Sequence, residues 1–199
     1  MTTQPLHRRT LSTPIGTINV IATGSSRAGS SPAGSSSAGS SSGGAIVGIL
    51  WDTAAEISKG AAHNPVERHF SGRVIIDAEP GEHDILDRAV TQLEEYFAGN
   101  RTDFDLHLDP GGTAFQQHAW ATLRTIPFGE TMTYGAQAAE MGDARKARAV
   151  GSANGQNPIP IVVPCHRVVG STGKLTGFAG GLGVKAWLLE HERFTLMRR

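Results

Sequence analysis

The sequence predicts an α+β protein: a small N-terminal α/β domain, with a short antiparallel sheet and a helix, followed by a mostly helical C-terminal domain carrying a helix-turn-helix. Three observations predict this. Alternating apolar segments and one amphipathic helix occupy the first half. A succession of short, capped helical segments fills the second. Between them, residues 100–112 (NRTDFDLHLDPGG) lose all periodicity and end in Pro-Gly-Gly. That stretch reads as a linker, which sets the domains at 1–112 and 113–199.

In the first half, residues 15–21 alternate apolar and polar side chains, and residues 45–51 form a short apolar run. Both read as strands of one hairpin. Its turn is lengthened by residues 24–44, a Ser/Gly tract with glycine at 24, 29, 34, 39 and 44. The tract has no large apolar side chain to offset the entropy of ordering it, so it reads as a flexible insertion or expanded surface loop. A further strand is expected over 73–76. Residues 84–98 place Ile85, Leu86, Ala89, Val90, Leu93 and Phe97 on one helical face, with Gly99 as the stop.

In the second half, Thr113 is placed to cap a helix with Phe115, Ala119, Leu123 and Ile126 inward, ended by Pro127-Phe128-Gly129. Thr133 caps a short helix closed by Gly142, and Asp143 caps another that stops before Asn157-Pro158. Two short helices joined by a Met-Gly-Asp turn have the form of a helix-turn-helix, although a plain helical hairpin has the same form. An apolar, β-branched, strand-like run follows (residues 159–169), then a glycine-rich stretch and a last helix from Val184.

Composition bounds the function. The chain of 199 residues carries 18 Lys+Arg and 18 Asp+Glu, a net charge of zero, which by itself argues against a strongly basic nucleic-acid coat. Divided after Thr113, the first part is net −5 and the second net +5, so only the second half is suited to face a polyanion, and with a salt-sensitive affinity. No run approaches about 18 apolar residues, so no membrane span is expected, and the first residues lack the apolar core of a signal peptide. One cysteine allows no intrachain disulfide and no Cys-rich zinc site. His7, His63, His69 and His83 are scattered; no metal and no cofactor are expected.

That cysteine, Cys165, lies in Val163-Pro164-Cys165-His166-Arg167-Val168. A lone cysteine is usually a buried small hydrophobe. Here the adjacent histidine and the following arginine favour a thiolate, the reactive form. In extended chain the Cys165 and His166 side chains point apart, so His166 serves Cys165 only if Pro164 starts a turn or a water bridges them. At this level a reactive nucleophile and a buried structural thiol both stand.

Pro164-Cys165-His166-Arg167-Val168 resembles the active-site signature of the O6-alkylguanine-DNA alkyltransferases, the methylated-DNA–protein-cysteine methyltransferase family. Further segments in the same order resemble that family: residues 126–131 and 133–135 its entry to the helix-turn-helix, 147–151 its recognition helix, Asn157-Pro158 its hinge, 177–181 its pocket loop and 185–192 its last helix. A weaker resemblance reaches residues 13–16 and the helix near Tyr96-Phe97. It implies an RNase H-like N-terminal domain and a protein that flips O6-alkylguanine out of duplex DNA, then moves the alkyl group irreversibly onto its own Cys165. Some activity on O4-methylthymine is also implied.

Carried over residue by residue, Cys165 is nucleophile and acceptor, His166 its base through a water, and Glu192 the group that orients His166. Asn157 ties the active-site segment to the recognition helix. Arg148 fills the space left by the flipped base, and Tyr134 contacts the rotated phosphate and donates a proton toward the departing guanine. Gly135, Asp143, Lys146, Ala147, Ala149, Gly151 and Ser171 complete the expected DNA surface, which meets the minor groove of double-stranded DNA. Asn154, Val168, Phe178, Ala179 and Gly180 join Tyr134 around the alkylguanine pocket. Many members have tyrosine where this chain has Phe178, which removes one hydroxyl from that pocket. A cytoplasmic protein, nucleoid-associated when acting, and monomeric in solution is expected. Against this stand a cysteine hydrolase using Cys165 and His166, and a non-catalytic damage sensor.

Overall fold

In the computed structural model, residues 4–24, 44–51 and 65–199 are described. Contacts divide the chain into two compact units, one running to Glu94 and including Asp105–Asp109, the other comprising Glu95–Phe104 and Pro110–Arg199.

The first unit is built on strands β1 (Leu6–Thr13), β2 (Gly16–Ala22), β3 (Ile46–Trp51) and β4 (Ile75–Asp77), in the order β3-β2-β1-β4. The anticipated hairpin forms: β2 and β3 pair antiparallel, Ile18 opposite Trp51. The sheet is not wholly antiparallel, because β4 joins β1 in parallel, Leu6 opposite Ile75. Strand β1 was absent from the sequence expectation. Only Leu6, His7 and Leu11 of its eight residues are buried, so it has no clean alternation to read. The short helix α1 (Pro65–Phe70) was likewise unanticipated. Most of the Ser/Gly tract, and His63, lie outside the described residues. Helix α2 (Asp84–Phe97) buries Ile85, Leu86, Ala89, Val90 and Leu93 as its spacing requires; Phe97 is only half-buried, and Tyr96 is fully buried instead.

The second unit contains helix α3 (Ala114–Leu123), opened by a capping box in which Thr113 accepts from Gln116 N–H and the Gln116 side chain accepts from Thr113 N–H. Its inner face differs from the expectation. Ala119, Leu123 and Ile126 are buried, but Phe115 is exposed and Trp120 turns inward. The Trp120 indole N–H finds the Ala153 carbonyl at 2.9 Å, a partner that lets a large polar-tipped ring be buried.

Helix α4 (Tyr134–Glu140), capped by Thr133, leads through a turn into a 3₁₀ segment (Ala144–Lys146) capped by Asp143 and then helix α5 (Ala147–Gly155). The two helices are locked by a reciprocal amide pair, Gln137 with Asn154, at 3.2 and 2.7 Å. Gln137 also donates to Ala119 O, so α3, α4 and α5 share one buried polar junction.

The run after Asn157 is not a strand. Residues 159–163 are buried in successive turns, and Ile161 takes a positive φ of 75°. Pro158, Pro160 and Pro164 lack the N–H groups a sheet ladder needs. Asn157 folds the segment back instead, donating to Val163 O at 2.7 Å and accepting from Ile159 N–H at 3.0 Å. Only β6 (Val168–Val169) is extended, in parallel with β5 (Met132–Thr133). This pairing carries the segment after Cys165 to the start of α4. The chain finishes in helix α6 (Leu182–Met197). No described helix is long and apolar enough to cross a membrane.

Candidate active site

Cys165 opens a 3₁₀ turn, Cys165–Arg167, so the bend that Pro164 made conceivable is present. The thiol is buried, and its sulfur accepts a hydrogen bond from the Asn157 side-chain amide at 3.2 Å. Burial pushes the thiol up to about 11; the Asn157 amide and the Lys185 ammonium draw it partly back. Cys165 and His166 make no direct hydrogen bond to each other.

His166 and Glu192 are both fully buried, and the His166 Nε2 lies 2.8 Å from Glu192 Oε1. Burial would raise the Glu192 carboxyl, but His166 and then Arg167 outweigh it and hold the carboxyl at about 2. An ionised carboxylate only accepts, so Nε2 must carry the proton and Nδ1 presents a lone pair. Nδ1 has no hydrogen-bond partner among the described residues. Burial lowers the imidazole's own proton affinity; Glu192 opposes this, and the Arg167 and Lys185 charges reinforce it. At rest, therefore, the site holds a neutral thiol, a neutral base and a carboxylate.

Glu192 is saturated with donors. Arg167 reaches it through Nε at 2.9 Å and NH2 at 3.0 Å, Tyr96 donates its hydroxyl at 2.9 Å, and Gly129 donates its N–H at 2.9 Å. Gly129 has φ of 78°, and a Cβ there would run into the Leu196 side chain. Arg167 also donates to Ile126 O at 2.7 Å. Its charge is thus spent on Glu192, not on the thiol as its place in the sequence suggested. The cation that acts on Cys165 is Lys185, buried, with Nζ 2.6 Å from Val168 O and 2.8 Å from Thr176 O. Neither Lys185 nor Tyr96 gave a sequence signal beyond lying in segments that resemble the family.

Beside this centre, Tyr134, Ala147, Arg148, Gly151, Thr176 and Gly177 line an open depression of about 380 Å³. Tyr134 is half-buried and donates its hydroxyl to Thr176 O at 3.2 Å. Burial raises its proton affinity and the neighbouring Cys165 adds to this, against the Thr176 hydrogen bond, so the hydroxyl stays protonated. Arg148, Lys146, Ala149 and Ser171 are exposed. Gly135 is half-buried in the first turn of α4. Asp143 is engaged as a cap and pairs with Arg145 at 2.9 Å. Of the pocket residues, Val168 is buried, Ala179 exposed, and Phe178 half-buried with its ring edge-on to His166, centroids 6.5 Å apart. Asn154 is turned away, both of its amide atoms being used by Gln137.

Among the described residues, no group of three or more His, Cys, Asp or Glu side chains is arranged to hold a metal ion. His7 and His83 are buried with ring centroids 4.9 Å apart, and His69 lies beside Phe70.

Comparison with known proteins bears on the family. Residues 114–194 match the model of the 6-O-methylguanine DNA methyltransferase DNA-binding domain, and residues 42–110 that of the same family's ribonuclease-like domain. A curated methylated-DNA–protein-cysteine methyltransferase of Mycobacterium tuberculosis is 58% identical over 105 residues, covering 53% of this chain and 64% of the relative. The matched stretch thus spans just under two thirds of that relative's length. The corresponding protein of Mycobacterium leprae is 51% identical over 116 residues, 58% of this chain and 70% of the relative. The crystal structure of the M. tuberculosis O6-methylguanine methyltransferase superimposes with a TM-score of 0.71 at 38% identity, covering 96% of this chain and 94% of that one. M. tuberculosis OGT in complex with DNA gives 0.68 at 38% identity, covering 95% and 94%. With both domain models matched in order and a solved relative aligned over nearly its whole length, the chain belongs to the methylated-DNA–protein-cysteine methyltransferase family.

Proposed function

We propose that the protein repairs DNA by flipping O6-alkylguanine out of the duplex and transferring the alkyl group, once and irreversibly, to Cys165. The observation that carries this reading is the division of labour on one imidazole. His166 gives Nε2 to an ionised Glu192, and its Nδ1 has no hydrogen-bond partner among the described residues, one residue from a buried thiol held by Asn157.

The chemistry follows from the resting charges. His166 takes the thiol proton at Nδ1 through a bridging water, and Glu192 stabilises the imidazolium. The sulfur attacks the alkyl carbon as the bond from that carbon to O6 breaks. The electron pair stays on guanine, which takes its proton from the Tyr134 hydroxyl. The new thioether has no leaving group, so the protein acts once. Burial serves this scheme: the thiol is uncharged until substrate fills the site, which protects it from adventitious alkylation.

Extruding the base costs a few kcal/mol. Arg148, exposed on the narrow, small-residue face of α5, occupies the vacated stack from the minor groove. Lys146 and Ser171 contact phosphates. The same pocket admits O4-methylthymine, and the protein works as a monomer in the cytoplasm or on the nucleoid. Incubation with excess O6-methylguanine duplex tests the reading against its rivals. We expect one methyl group per chain and none on Cys165→Ala. Repeated turnover on an ester without DNA would instead mark a cysteine hydrolase.

A further inference from the structure

We infer that Tyr96 is a positioning residue for the transfer: its hydroxyl, seated on Glu192 Oε1, sets how strongly that carboxylate supports the His166 imidazole. The inference rests on His166 acting as the base.

Tyr96 is fully buried, and its hydroxyl shares Oε1 with the His166 Nε2 and the Arg167 NH2, while Oε2 takes Arg167 Nε and Gly129 N–H. Five donors on a carboxylate with about four lone-pair sites leave no slack. Each donor other than His166 draws negative charge off the carboxylate that must stabilise the imidazolium, and Tyr96 and Arg167 NH2 do so at Oε1 itself. Tyr96 therefore restrains the base, and it does so from a fixed position. Its ring is caged edge-on by Phe97 at 5.4 Å and Phe128 at 6.0 Å between centroids. Its own carbonyl meets the His191 Nε2 at 2.7 Å, one residue before Glu192, so both ends of Tyr96 are fastened to the same turn of α6. The charged groups acting on His166 are Glu192, Arg167 and Lys185. Two neutral donors also sit on Glu192, and Tyr96 is the one that shares Oε1 with His166, Gly129 N–H lying on Oε2.

Replacing Tyr96 by phenylalanine keeps the caged ring and deletes only the hydroxyl. The His166 titration is followed by nitrogen NMR on the whole protein, and the pH profile of single-turnover methyl transfer is measured in parallel. We expect the His166 midpoint to rise by roughly half a pH unit or more, because Oε1 regains charge, and the transfer profile to move with it. An unchanged or lowered His166 midpoint overturns the inference. Should Tyr96→Phe not fold, the Tyr96 ring-carbon resonance of the wild type serves: it must shift with the His166 midpoint, and a static signal overturns the inference. The two readings fail separately, since absence of methyl on wild-type Cys165 would refute the transfer function while leaving the His166 shift measurable.

Discussion

Replacing Glu192 by glutamine tests the buried network most severely. The carboxylate accepts from His166, Arg167, Tyr96 and Gly129, and a carboxamide cannot serve them all. If its oxygen faces His166, its NH₂ confronts the Gly129 N–H and Arg167 Nε–H, donor against donor. If it is reversed, the NH₂ faces His166, which must then accept at Nε2 and carry its proton on Nδ1, the atom needed as base. Either way the buried Arg167–Glu192 ion pair is lost. Holding the Glu192 carboxyl at about 2 instead of 4.5 corresponds to about 3 kcal/mol of stability at neutral pH. Leaving a buried arginine without its anion costs roughly 3–5 kcal/mol, by an overlapping route, so the two figures are not summed. We expect Glu192→Gln to lower the unfolding free energy by about 3–5 kcal/mol in urea at pH 7, followed by Trp120 and Trp187 fluorescence, and to abolish methyl transfer. A loss below about 1 kcal/mol would refute the reasoning, because it would mean that the five donors are satisfied elsewhere.

Further consequences follow from the same contacts. The Glu192 carboxyl is depressed on folding, so its stabilisation is fully present above about 4.5 and fades as pH falls toward 2; between pH 5 and pH 2.5 the wild type should lose about 2–3 kcal/mol more than Glu192→Gln, and parallel losses would contradict this. Asn157→Ala removes the amide that favours the Cys165 thiolate, and should slow modification by a small neutral thiol reagent at pH 8 by roughly tenfold or more; an unchanged rate counts against the contact. Trp120→Phe breaks the bond to Ala153 O and should cost about 1–2 kcal/mol in a urea titration without altering the stoichiometry of transfer. Arg148→Ala, at an exposed position, should leave the unfolding free energy within about 0.5 kcal/mol of wild type yet slow transfer from duplex DNA far more than transfer from the free O6-alkylguanine base; equal slowing of both would argue against a role in flipping.

The legible parts of the fold were those written in local pattern. The capping threonines 113 and 133, the apolar face of residues 85–93 and the strand character of β2 and β3 all follow from neighbours a few residues apart. Strand β1 was hidden because its sequence is dominated by His7, Arg8, Arg9 and Thr10, and the partners on both sides pair its backbone while only Leu6, His7 and Leu11 are buried. The run 159–163 misled for the opposite reason: its β-branched residues are core material, but Asn157 and the interspersed prolines fold it into turns. Around Cys165, the neighbours His166 and Arg167 were visible but their division of tasks was not. The resemblance already set Glu192 on His166, but only tertiary structure brings Tyr96, 96 positions away, onto the Glu192 carboxylate and assigns Arg167 to that carboxylate and Lys185 to the sulfur.

The central claim is that Cys165 is a single-use alkyl acceptor served by His166. Titrating the protein with increasing O6-methylguanine duplex and reading the intact mass and the modified peptide tests it most directly. The account predicts a plateau at one methyl per chain, carried on Cys165, with the Cys165→Ala protein unlabelled. Continued turnover beyond one equivalent, or a methyl group on any other residue, would contradict it.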